Sequence, residues 1–121
     1  MLGLMFSTGV DVPVNHESSF KWFEKAAVQG NADAQLVLGL KYEKGQGVQQ
    51  DNEKAFYWFE KAAQKGNSIA EFCLGVMYTT GQGVPQNLKL ALSWYDKAAR
   101  HGNPQARFNM NVIEEMTSDV P

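Results

Sequence analysis

Ser18-Ser19-Phe20-Lys21 has the spacing S-x-x-K, in which a lysine one helical turn from a serine takes its proton and makes it a nucleophile. Enzymes built on that string also need S-D-N and K-T-G elements, and the chain contains no K-T-G. "GQGVQQ" and "GQGVPQ" resemble half of a phosphate-cradling loop. Both lack the third glycine and follow helical rather than strand patterning, so they read as turns, with Val48 and Val84 tucked toward a core. His16 and His101 lie far apart in the chain, and neither has a second metal ligand three or four residues away. Each is expected as a surface histidine. Cys73 stands in an apolar segment beside Leu74, which suits a small core residue or a groove-lining thiol better than a nucleophile. Glu24-Lys25, Glu60-Lys61 and Asp96-Lys97 read as a solvated face. No constellation amounts to an active site, and the residues imply no cofactor and no bound metal.

Bulk properties narrow the partner classes. The 121 residues carry a formal net charge of −2, with 44% hydrophobic and 20% charged residues, which fits one folded domain and argues against disorder. No cluster of Lys and Arg marks a nucleic-acid or anionic-lipid surface. A single cysteine rules out an internal disulfide. "MLGLMF" is too short and lacks the basic flank of a signal peptide, and no run approaches the roughly 20 apolar residues that span a bilayer. A soluble chain without membrane insertion is expected.

The strongest pattern is self-similarity. "WFEKAAVQGN" at 22–31 returns as "WFEKAAQKGN" at 58–67 and "WYDKAARHGN" at 94–103, each copy displaced by 36 residues. A fixed period of about 20 to 50 residues signals a stacked array. "LGLMFSTG" at 2–9 matches "LGLKYEKG" at 38–45, so the chain divides into a partial repeat (1–30), two full repeats (31–66 and 67–102), and a half repeat with a capping helix (103–121). Each full repeat predicts two helices. The first is capped by Asn31, Asn67 or Asn103, with Pro104 at the first helical position of the last copy, and ends at Gly9, Gly45 or Gly81. The second is capped by Asn15, Asp51 or Asn87 and closed by Gly30, Gly66 or Gly102.

The predicted fold is all-α: antiparallel helix pairs stacked into an α/α solenoid. Within the second helix, Ala55, Trp58, Phe59, Ala62 and Ala63 form one apolar stripe, with the tryptophans expected to fill the gaps between pairs.

These residues also carry a resemblance. The pattern A-x-A-x-x-x-L-G-x-x-Y-x-x-G-x-G-V, a capping Asp or Asn, then A-x-x-W-F/Y-x-K-A-A-x-x-G resembles the Sel-1-like repeat family, relatives of tetratricopeptide repeats, over almost the whole chain. Asp11 replaces the second glycine of the first loop, the last helix diverges, and the cysteine pairs of one secreted bacterial subgroup are absent. The resemblance implies a non-enzymatic module whose curved surface holds a protein partner, as adaptor, regulator or inhibitor. The compartment is left unassigned between bacterial cytoplasm and, if a leader was removed, periplasm.

The first helices are apolar on two sides. At about 100° per residue, Ala34, Leu38 and Tyr42 share one side, while Leu36 and Leu40 lie nearly opposite, followed by Phe72 and Val76 and then Phe108 and Val112. In related tetratricopeptide arrays these positions, beside Asp33, Ile69 and Gln105, line the concave face. The six residues Leu36, Leu40, Phe72, Val76, Phe108 and Val112 are therefore the candidate partner-binding strip, edged by Glu43, Lys44, Thr79, Thr80 and Glu115. The alternative is that they pack between adjacent first helices as core. Beside a protein-binding module stand two other readings. One is a structural or self-associating segment of a larger array, joined through an amino-terminal edge where Phe20, Trp22 and Phe23 lack cover. The other, narrower, is an immunity-type inhibitor of a secreted bacterial effector.

Overall fold

The computed structural model describes residues 16–118. The expected matches at 2–9, the turn at Gly9, Asp11 and the cap Asn15 lie outside the described residues. Those described form α1 (His16–Val28), α2 (Ala32–Lys44), α3 (Asn52–Gln64), α4 (Ser68–Thr80), α5 (Leu88–Arg100) and α6 (Pro104–Ser118). No strand occurs among them. Each helix packs chiefly on its neighbours in the chain, which is the topology of a solenoid of helix pairs.

The helix starts follow from side chains that satisfy otherwise orphaned N–H groups. Asn31 Oδ1 accepts from Ala34 N–H at 2.9 Å, Asn67 Oδ1 from Ala70 N–H at 2.9 Å and Asn103 Oδ1 from Ala106 N–H at 3.1 Å. Asp51 accepts from both Glu53 and Lys54, and Asn87 from Leu90. The turn after α3 is a Schellman closure: Asn67 N–H donates to Ala62 O at 3.2 Å and Gly66 N–H to Ala63 O at 2.9 Å, with Gly66 at φ +86°. Asn67 thus ends one helix with its backbone and starts the next with its side chain. The connection cannot lengthen without losing one of these roles.

The core alternates small and large residues. Ala34, Ala55, Ala62, Ala70, Ala91, Ala98 and Ala106 are buried, and Leu38, Phe59, Leu74, Met77 and Tyr95 fill the space they leave. Val48 and Val84 are half-buried against it. Trp58 and Trp94 pack against this core, as expected of residues between pairs, but none of the three tryptophans is fully buried. Phe59 and Tyr95, one residue on, are the buried aromatics, whereas Trp58 and Trp94 are half-buried and Trp22 is 66% exposed. One helical position is a rotation of about 100°, enough to move a ring from the middle of the packed face to its margin. At the amino-terminal edge, Phe20 is buried edge-on to Tyr42 at 5.4 Å and Phe23 is half-buried, so of the three aromatics expected to lack cover Trp22 alone is open.

Candidate interaction surfaces

The first helices α2, α4 and α6 carry the six strip residues, and their exposure rises along the array. Leu36 is buried in the core, at 8% exposed. Leu40, Phe72 and Val76 are half-buried, and the Phe72 ring lies 5.5 Å from that of Tyr95. Phe108 and Val112 are 61% and 41% exposed, with Ile69 and Met116 also open. Phe108, Val112 and Met116 recur every fourth residue, so they form one stripe of α6, while Ala106 and Ile113 on another side are buried. Cys73 is half-buried against the core beside this layer, and burial, aided by the Glu43 carboxylate, pushes its thiol up to about 12. Asp33, Lys44, Thr80, Gln105 and Glu115 are exposed around the strip.

Where the end of α5 meets α4, a contact joins the second layer (α1, α3 and α5) to the first that the sequence reading passed over. His101, expected as an ordinary surface histidine, places Nδ1 2.7 Å from Glu71 Oε1, and Glu71 is only 2% exposed. An ionised carboxylate only accepts, so Nδ1 is assigned the proton. The signal lay in the repeat itself. Glu71 occupies the place of Gln35, and His101 the place of Lys65. Gln35 donates its amide to Ala27 O at 3.1 Å, which a carboxylate cannot do, so the deviation at one position calls for a donor at the other.

The strings that imitate catalytic signatures are not gathered into a site. Ser18 and Lys21 are exposed on α1. Among the described residues no group of three or more His, Cys, Asp or Glu is placed to hold a metal ion. No helix among them is long and apolar enough to cross a membrane.

Capped helix pairs, alanine-lined contacts and a 36-residue period define a helical repeat scaffold of the solenoid class. The Sel1 repeat matches the chain three times, at residues 1–31, 32–67 and 68–103, and the chain belongs to the Sel1 repeat family. Among solved structures, a Sel1 repeat protein from Oxalobacter formigenes is 39% identical, with a TM-score of 0.81 over 92% of this chain and 46% of that one. The protective antigen c5321 of uropathogenic Escherichia coli, which displays an SLR fold, is 36% identical, with a TM-score of 0.78 over 87% of this chain and 22% of its own. Cysteine-rich protein B of Helicobacter pylori is 30% identical, with a TM-score of 0.73 over 77% of this chain and 70% of its own. The chain therefore spans less than half the length of the first two. Comparison with curated proteins gives no match. Sel1 repeat proteins are in general protein-interaction scaffolds, and these relatives are bacterial.

Proposed function

We propose that this chain is a non-enzymatic adaptor or regulator that holds a segment of a protein partner on the first-helix layer. The partner's apolar side chains rest on Leu40, Phe72, Val76, Phe108 and Val112, with Leu36 forming the buried end of the same strip. The observation that carries this reading is the exposed stripe of α6: Phe108 is 61% and Val112 41% open to solvent on a helix whose other side is packed. Large apolar side chains grouped in this way mark an interaction surface, and single scattered ones do not. An amphipathic helix or extended segment is the kind of ligand such a strip accepts.

The test compares the native chain with a Phe108→Lys, Val112→Lys variant by quantitative affinity capture from the source cell, after circular dichroism shows equal folding. Both side chains are exposed, so the variant should fold. A partner retained by the native chain and lost by the variant supports the reading; a partner retained equally by both places binding elsewhere. Sedimentation of the purified chain alone adds the second outcome: if its mass rises with concentration and the variant abolishes the rise, the stripe joins copies of this chain.

A further inference from the structure

The two junctions between successive second helices are built from the same repeat but close differently. Between α1 and α3, Lys65 Nζ reaches across and donates to the Gly30 carbonyl, and the buried floor is the neutral Gln35. A Cβ placed on Gly30 would meet that ammonium at 2.8 Å. Between α3 and α5 the corresponding residue is His101, which turns instead onto Glu71. No hydrogen bond among the described residues reaches the Gly66 carbonyl, the counterpart of the Gly30 carbonyl, and a Cβ on Gly66 would find nothing within 4 Å. The result is an open cleft of about 630 Å³ between the carboxyl ends of α3 and α5, with Glu71 and Trp94 in its lining.

Its charge is one-sided. Lys97 and Arg100 line it from α5, His101 from just past its end and Lys65 from just past the end of α3, and Glu71 is the only acidic residue in the lining. That carboxylate is already engaged by His101. Lys97 Nζ lies 4.6 Å over the Trp94 ring, a cation–π contact that holds the ammonium beside an apolar surface. Arg100 is braced by Asp96 through Nε at 2.9 Å. At the other junction the residues aligned with Arg100 and Glu71 are the neutral Gln64 and Gln35. Trp58 and Lys61 keep the places of Trp94 and Lys97 there, so Arg100, Glu71 and the histidine in place of Lys65 are what set this cleft apart.

We infer that the α3–α5 cleft is a second docking site, for an acidic peptide segment of a partner protein. Carboxylates of the segment meet Lys97 and Arg100, an aliphatic stem rests on Trp94, and a backbone N–H of the segment donates to the Gly66 carbonyl. The site is separate from the first-helix strip, and either can fail without the other.

The test titrates the isotope-labelled chain with a short, end-blocked peptide of alternating glutamate and alanine, and with its lysine counterpart, and follows amide shifts at Gly66, Trp94 and Lys97. The glutamate peptide should bind, more weakly as salt is added, and the lysine peptide should not. Lys97→Glu with Arg100→Glu should weaken binding about tenfold or more. The decisive variant is Glu71→Gln with His101→Lys, which rebuilds the closed junction. Residue 101 can then bridge to the Gly66 carbonyl as Lys65 bridges to Gly30. This change makes the chain more positive, yet it should also weaken the acidic peptide about tenfold, because the cleft is filled. Binding of both peptides alike, failure of the native chain to bind the acidic one, or unchanged or tighter binding by the junction variant would each overturn the proposal.

Discussion

Gly75 lies directly beneath the ring of Tyr95: a Cβ placed on it would stand 2.5 Å from ring carbon Cε1 and 2.6 Å from Cδ1. The same relationship joins Gly39 to Phe59, again at 2.5 Å. The glycine of α2, like that of α4, is thus the socket for the buried aromatic of the following second helix. It sets how closely the two helices of a pair approach. Asn111, which holds this place in α6, is exposed and covers no such ring.

Gly75→Ala should therefore destabilise the chain. Alanine gains about 1 kcal/mol of helix propensity. Overpacking a tight contact costs about 1 to 3 kcal/mol, and here the obstructing atoms belong to a fully packed ring. Urea unfolding monitored by circular dichroism should show a lower midpoint for Gly75→Ala, and the penalty should shrink in a Tyr95→Leu background. Equal or higher stability of the single variant would mean that the helices separate without cost.

The split between tryptophan and its neighbour predicts an inverted ranking of aromatic truncations. Phe59 is fully buried, so Phe59→Ala should cost about 3 to 5 kcal/mol. Trp22→Ala should cost about 0.5 kcal/mol or less, as at other exposed positions. Denaturation midpoints of the two variants decide the matter. A loss at Trp22 as large as that at Phe59 would restore the tryptophan to the core.

Cys73 and Tyr42 give the chain an alkaline weakness. The Cys73 thiol is raised from its ordinary 9.0 to about 12, by burial first and by Glu43 second. Tyr42 is raised by burial and by the Glu24 and Asp51 carboxylates. A group whose proton is held more tightly in the folded chain loses it first on unfolding, so stability is complete below the unfolded value and falls as pH rises through the folded one. For Cys73 that window runs from 9.0 to about 12. Urea midpoints measured upward from pH 8 should fall more steeply for the native chain than for Cys73→Ser, and alkylation of the native thiol at pH 8 should be far slower than in urea. Parallel slopes for the two chains would contradict this.

Much of the architecture was legible in the residues. The 36-residue period, the Asn and Asp caps and the left-handed glycines at 45 and 81 are local devices, each decided within a turn or two of the chain. They determined the four helices of the two full repeats and their ends. A stripe of apolar residues also showed which side of each second helix turns inward.

Tertiary packing decided what the stripe could not: that Phe59 and Tyr95 enter the core while Trp22, Trp58 and Trp94 take its margin, because depth depends on the glycine opposite and not on hydrophobicity. It also graded the candidate strip from buried Leu36 to open Phe108, although period-related positions look alike in sequence. Above all it brought Glu71 and His101, 30 residues apart, to 2.7 Å. Separate residues in the chain carry no mark of that meeting, since a buried carboxylate is tolerated only where the fold delivers a donor to it. The sequence by itself determined the helices and their repetition; packing between them decided which otherwise equivalent positions became core, surface or cleft.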